Sequence, residues 1–301
     1  MLTPIHLRKL LVDPATHPRG QPHLSATSGL VQAGAWLYLV SDDEHHIGSL
    51  QIGSAAPVEL HRILPGDLPH DEGERKKHKP DLEALAVLPS TARDPHGALL
   101  ALGSGSRPKR RRGWCVALDA GSRVATAPRV VDLTALYTPL ASTFPDLNIE
   151  GAFAAGNSFY LLQRGNKGSA RNARMEYPLA EVQGWLAGLR DAPPQPLHIR
   201  QLDLGDAGGV PYGITDGAAL PGGGWIFSAV AEDTGDSYND GPCAGSAIGW
   251  VGSDGRLQRM EPLAGSPKVE GIALVDGRLL MVTDADNPTV TSQLLAVELD
   301  G

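Results

Sequence analysis

Aromatic side chains make up only 5% of the 301 residues, too few for the stacked platforms on which single-stranded nucleic acids bind. Cysteine is almost missing. Cys115 and Cys243 stand far apart, with neither the spacing of a zinc site nor the number that a disulfide framework needs. No run approaches the roughly 20 apolar residues of a membrane-spanning helix, and residues 1–20 lack the basic-then-apolar order of a secretory leader. A net charge of −8 and a pI near 5.7 count against nucleic acid or an anionic membrane as a partner. A cytoplasmic protein is expected. No GxGxxG opens a helix, and there is no phosphate-loop GxxxxGK, GxSxG elbow or HExxH, so the common local signatures of dinucleotide, nucleotide, serine-hydrolase and zinc-protease chemistry are excluded. His45 and His46 are adjacent and point to opposite faces if extended, which disfavours a metal pair.

Turn-forming residues are plentiful instead, with 36 Gly and 24 Pro, as suits many short strands. An internal repeat organises them. Five segments share a polar entry, a Ser or acidic residue, a small or apolar run, a Gly/Asn-rich turn and a second apolar run. They begin at Thr27-Ser28-Gly29-Leu30, Leu82-Glu83-Ala84-Leu85, Ile149-Glu150-Gly151-Ala152, Thr215-Asp216-Gly217-Ala218 and Val269-Glu270-Gly271-Ile272. The marked positions step by about 55, 67, 66 and 54 residues, room for four strands each. A third apolar strand follows in every unit, and an alternating outer strand in the first four. The fifth unit lacks its outer strand, while Ile5-His6-Leu7-Arg8-Lys9-Leu10-Leu11-Val12 carries the same alternation. The pattern predicts an all-β fold: a five-bladed β-propeller with an N-terminal strand closing the last blade. The expected arrangement is one domain over residues 1–301, with blades at about 24–66, 80–134, 147–204, 213–262 and 267–301 plus 4–13. A β-sandwich with an accessory domain is the alternative. One helix is predicted, at 179–189, from Leu179, Val182, Leu186 and Leu189. Trp36, Trp114, Trp225 and Trp250 read as blade core.

In a propeller the first strands line the central channel, so Ser28, Glu83, Glu150, Asp216 and Glu270 are expected to converge at one mouth. Carboxyl groups crowded there must take up protons or share a cation. Oxygen donors without His or Cys suit a hard ion, Ca2+ before Mg2+. Alternatively these acids cap the first strands by accepting backbone N–H bonds. Turns around the mouth are basic in blades two and three (Arg107, Lys109, Arg110, Arg111, Arg112; Arg164, Lys167, Arg171, Arg174), with Arg75, Lys76, Lys77, His78 and Lys79 leading into blade two. They are acidic in blades one, four and five (Asp42, Asp43, Glu44; Glu232, Asp233, Asp236, Asp240; Asp284, Asp286). Cations beside a metal-binding mouth suggest a small anionic, phosphorylated ligand, with Arg164, Asn166 and Arg107 as its contacts; solvated loop charge is the plainer reading of any single run.

The five units and the Ser, Glu, Glu, Asp, Glu ring resemble the calcium-activated nucleotidase (apyrase) family. So do Val40-Ser41-Asp42-Asp43, the Leu162-Gln163-Arg164 turn and the closing Lys268-Val269-Glu270-Gly271-Ile272. That resemblance implies a five-bladed propeller holding calcium in its channel and hydrolysing nucleoside di- and triphosphates. Ser28, Glu83, Glu150, Asp216 and Glu270 would then be calcium-site residues, and Arg164 would face phosphate. Asp216 departs from the family, where a serine is expected, and the family's aromatic-rich segment is not evident. The acid-Gly-apolar repeat is also similar to esterase-like phytase and SdiA-regulated propeller domains. The expected function is metal-dependent hydrolysis of a phosphate ester or anhydride, with Glu232 or Asp284 as base. A non-catalytic ligand-binding or scaffolding propeller and a glycosidase using paired carboxylates are the alternatives.

Overall fold

The computed structural model describes residues 1–166, 168–235 and 241–299. The chain opens with strand β1 (Ile5–Lys9). Blade one follows as β2 (Thr27–Ala33), β3 (Trp36–Ser41), β4 (His46–Gln51) and β5 (Glu59–Arg62), then helix α1 (Glu72–His78). Blade two is β6 (Leu82–Leu88), β7 (Ala98–Gly103), β8 (Arg112–Ala117) and β9 (Arg129–Asp132), and helix α2 (Thr134–Thr143) leads on to blade three. Blade three is β10 (Ile149–Ala155), β11 (Ser158–Gln163) and β12 (Asn172–Pro178), then helix α3 (Leu179–Leu186) and the outer strand β13 (His198–Leu202). Blade four adds a two-residue strand β14 (Asp206–Ala207) to β15 (Val210–Ala219), β16 (Trp225–Glu232), β17 (Cys243–Val251) and β18 (Leu257–Pro262). Blade five is β19 (Val269–Val275), β20 (Arg278–Thr283) and β21 (Gln293–Glu298), and its outer edge is β1, antiparallel to β21 with Ile5 opposite Ala296. The fold is therefore the five-bladed propeller that the repeat predicts, closed by its N-terminal strand. The helix predicted at 179–189 forms as α3 over Leu179–Leu186, while Leu189, expected on its apolar face, lies beyond its end and is exposed. Helices α1 and α2 are additions for which the sequence offers no apolar period.

Each blade is buried on both faces, which is why its inner strands read as near-continuous apolar runs. Along β7, Leu99 and Ala101 join the core between blades one and two, while Leu100 and Leu102 join the core between blades two and three. This is the period-two alternation of a strand shared by two cores. Comparable apolar layers fill the remaining junctions, and that between blades five and one includes Leu10 and Val12 from the N-terminal segment. Trp114, Trp225 and Trp250 are buried and Trp36 is half-buried, all in these layers. The β19–β20 hairpin turns through Asp276 and Gly277, both with positive φ (48° and 81°), the conformation of a tight type I′ turn.

Packing at the axis is closer still. Every inner strand carries a bulge at its marked segment: Ile149 pairs with Gln163 and Gly151 with Leu162, leaving Glu150 outside the ladder. The same shift frees Glu83 and Glu270 and leaves Ser28 and Gly29 facing one residue of β3. A Cβ on Gly29 would lie 2.7 Å from the Leu85 amide nitrogen, and one on Gly271 would overlap the Ser28 carbonyl. These glycines are required by backbone approach.

Gly271→Ala is expected to cost about 3 kcal/mol or more. Gly156→Ala, at φ +56° with no atom nearby, should cost about 1 kcal/mol. Urea unfolding of the two variants checks the contrast, and equal losses would contradict the close-packed axis.

Candidate functional site at the channel mouth

The bulges aim Glu83, Glu150 and Glu270 at one end of the axis. Ser28 joins them, its hydroxyl donating to Glu83 Oε2 at 2.9 Å. Asp216 does not stand in the equivalent place. In blade four Ile214 pairs with Ala229 and Asp216 with Ser228, so Thr215 is the bulged residue. The Thr215 hydroxyl contacts Ser228 Oγ at 2.8 Å and the Val269 carbonyl at 2.7 Å. Asp216 falls where blades three and five have Gly151 and Gly271, so its side chain enters the axis itself. There its carboxylate accepts N–H bonds from Gly217 (2.8 Å), Ile272 (2.9 Å) and Leu30 (3.4 Å). This corrects the expected five-fold equivalence: Asp216 serves as a cap, tying blade four to blades one and five. Burial outweighs these N–H bonds and raises its pKa well above the usual range.

The acids at the mouth are compensated from within the chain. Arg164 lies across the ring, with its guanidinium 3.3 Å from Glu150, 3.5 Å from Glu270 and 2.7 Å from Glu232. Its side chain is only 12% exposed, and the surrounding Glu270, Glu150 and Glu232 keep it charged against the cost of desolvation. Lys268 Nζ sits 3.5 Å from both Glu232 and Asp284 and 2.5 Å from Asp286. On the blade-two side Lys79 bonds Asp42 and lies 3.2 Å from Asp81, while Arg110 meets Asp81 at 2.8 Å. Even so, among the described residues Asp42, Asp43, Asp81, Glu83, Glu150, Glu232, Glu270, Asp284 and Asp286 outnumber Arg19, Arg75, Lys79, Arg110, Arg164 and Lys268. Burial raises Glu83 well above the carboxylate range, helped by Glu150, Asp81 and Asp42. Burial also pushes Glu150 up to about 8 against the pull of Arg164, and Asp42 to about 6 against that of Lys79.

Several residues expected at the site occupy other positions. Arg164 does not project to the rim as a free phosphate contact; it is the internal counter-ion just described. Asn166 bonds Asp146, and its Oδ1 accepts the Ser169 N–H at 2.8 Å, so it shapes its own loop. Arg107 is exposed at the start of a single 3-10 turn. Glu232 also accepts the Gly241 N–H at 2.9 Å, and Asp284 the Asp286 N–H at 2.8 Å. Neither prospective base is therefore unengaged. Lys167, Asp236 and Asp240 lie outside the described residues.

Asp42, Asp81 and Glu83 bring one carboxylate oxygen each within 4.8 Å of one another. Asp81 was not singled out from the sequence. Its signals are the Lys79-Pro80-Asp81 turn just before β6 and a φ of +60°, which aspartate tolerates better than most residues. Beside the triad, a cavity of ≈80 Å³ opens between blades five and one, lined by Asp42, Asp43, Arg75, Lys79, Asp284 and Asp286 among others. Its α1 wall begins with Asp71 accepting the Glu74 N–H at 2.8 Å, a local N-cap. At the rim Glu44 is held by His17 at 2.9 Å and Arg19 at 2.6 Å, anchoring the N-terminal segment.

Fold and mouth together define a five-bladed propeller whose channel entrance is an acid-rich, internally ion-paired site. The chain belongs to a family of unknown function, DUF6929, which residues 23–299 match. No curated protein matches it in sequence. Among solved structures it is similar to a luciferin-regenerating enzyme (11% identity, TM-score 0.46, 93% of each chain). Others are Myxococcus xanthus glutaminyl cyclase (12%, 0.46, 100% of this chain and 98% of that one) and a Bacteroides ovatus glycosyl hydrolase (8%, 0.45, 99% and 90%). Likeness at this level transfers no activity.

Because its folded pKa lies above the ordinary 4.5 at about 8, Glu150 contributes stability that is full below about 4.5 and lost as pH rises through about 8. In chelator, urea unfolding should show stability falling from pH 5 to 8.5, with a shallower fall in Glu150→Gln. Equal slopes would contradict this placement.

Proposed function

We propose that the channel mouth binds a divalent cation, Ca2+ before Mg2+, and that this centre takes a small anionic, phosphorylated ligand. The observation that carries the reading is the Asp42, Asp81 and Glu83 cluster, with Ser28 beside it, in a mouth whose acids outnumber its cations. The donors are all oxygen, which suits a hard ion with flexible coordination. Burial, reinforced by neighbouring carboxylates, raises the pKa values of Asp42 and Glu83, so cation binding beside them would favour proton release. Lys79 and Arg110 are the competing charges: the ammonium would have to swing away from Asp42 and Asp81, and Arg110 already holds the second Asp81 oxygen. Ser28, Glu83, Glu150 and Glu270 would line the centre, with Asp216 fixing the strands that carry them.

The likeness to calcium-activated nucleotidases and to esterase-like phytase domains supports hydrolysis of a phosphate ester or anhydride as the finer reading. Glu232 or Asp284 would accept the proton from attacking water, and the cation would offset developing negative charge. A non-catalytic binding role has one specific observation in its favour: Glu232 is already paired with Arg164, and Asp284 with Lys268.

At about a hundred times Kd, Ca2+ should stabilise the fold by about 2.7 kcal/mol, roughly 5 °C in Tm for a chain of this size. Glu83→Gln and Asp81→Asn should remove the shift. No thermal response to Ca2+ or Mg2+ would end the proposal. Calcium-dependent turnover of phosphorylated substrates that Glu232→Gln or Asp284→Asn abolishes would establish the hydrolase, and calcium binding without turnover the binding protein.

A further inference from the structure

On the side of the propeller away from the acidic mouth, blades five and one do not close completely. A groove of ≈670 Å³ runs between them, within the size range of small-molecule sites, roughly 300–1,000 Å³. Its floor is Leu37, Leu50, Leu280 and Leu294, all buried side chains of the inter-blade core. One bank is β1 with Leu7 and the following Leu11, exposed by 42% and 46%. The other is the turn after β4, from Ile52 to Ala55. Arg8 reaches from the first bank to the second, its guanidinium donating to the Ser54 and Ala56 carbonyls at 2.6 Å each. Both partners are uncharged. Neither Arg8 nor Lys9 meets a carboxylate among the described residues, although both line the groove. Asp276 and Arg278 stand at the blade-five end, where Arg278 pairs with Glu298 at 2.8 Å.

Leucines over a closed floor favour an apolar body, and two uncompensated cations on one bank favour a negative end. The geometry points to a site for a small amphiphile with a flexible apolar chain and a single carboxylate: the chain lies on Leu50, Leu280 and Leu294, and the carboxylate meets Lys9 and the outer edge of the Arg8 guanidinium. With Arg8, Lys9 and Arg278 against the single carboxylate Asp276 in the lining, the balance of charge favours an anionic over a cationic amphiphile. The site is independent of the channel mouth and shares no residue with it.

Isothermal titration with decanoate, decanol and decyltrimethylammonium tests this. Decanoate should bind one to one and roughly tenfold more tightly than decanol, the factor expected of one charge-assisted hydrogen bond; the cation should not bind. Ala55→Trp sets an indole over the groove from an exposed position that the fold does not need, and should weaken decanoate by tenfold or more. Lys9→Glu should erase the preference for decanoate over decanol. Val130→Trp, on the outer strand of blade two, and Glu83→Gln, at the mouth, should leave decanoate binding unchanged. The assignment is overturned if decanoate gives no saturable heat, if decyltrimethylammonium binds as well, or if Val130→Trp and Ala55→Trp weaken binding alike. A concentration-dependent dimer that Ala55→Trp dissociates would also overturn it, by making a second copy the occupant.

Discussion

The closeness of the five inner strands governs the rest of the molecule. Where Gly29, Gly151 and Gly271 lie, the neighbouring blade is within van der Waals reach of the backbone, and no side chain fits. Strands this close cannot keep their marked residues in the ladder, so the bulges turn those side chains out to one mouth. The same closeness lets a single carboxylate, that of Asp216, reach amides of blades one, four and five. Closure at the axis and concentration of charge at the mouth are thus one geometric event.

Concentrated charge then needs compensation. Arg164, Lys268 and Lys79 supply part of it from three different connections, and each remains cationic despite burial because carboxylates surround it. Burial and mutual repulsion still raise the pKa values of Glu83, Glu150 and Glu270 despite these cations. Removing one partner from such a buried network is costly, since it strands an opposite charge. The mouth is therefore stiff toward substitution, and the proposed cation would have to displace positive charge that the chain already supplies there.

The architecture was legible because propeller blades repeat: apolar runs in pairs, Gly-rich turns, and an N-terminal strand whose alternation matches the gap in the fifth unit. The site was legible only in part. Glu83, Glu150 and Glu270 follow from the repeat, whereas Thr215 and Asp216 are adjacent polar residues, and choosing between them needs the ladder register, a one-residue matter that composition does not encode. Arg164 stood out as a charge straight off an apolar strand, but whether it turns outward to solvent or inward to Glu150 and Glu270 depends on the blade opposite. Asp81 carries no periodic signal at all; a left-handed φ beside Pro80 places it. Helix α2 holds Pro139 and follows no apolar stripe, so it forms from tertiary packing of Leu136, Tyr137 and Leu140.

Amide hydrogen exchange in Asp216→Val tests the meeting of strands at the axis most directly. With the carboxylate gone, protection should fall at Leu30 in blade one and Ile272 in blade five, far from residue 216 in sequence, as well as at Gly217. Changes confined to blade four, with Leu30 and Ile272 as protected as before, would contradict the shared axis and everything built upon it.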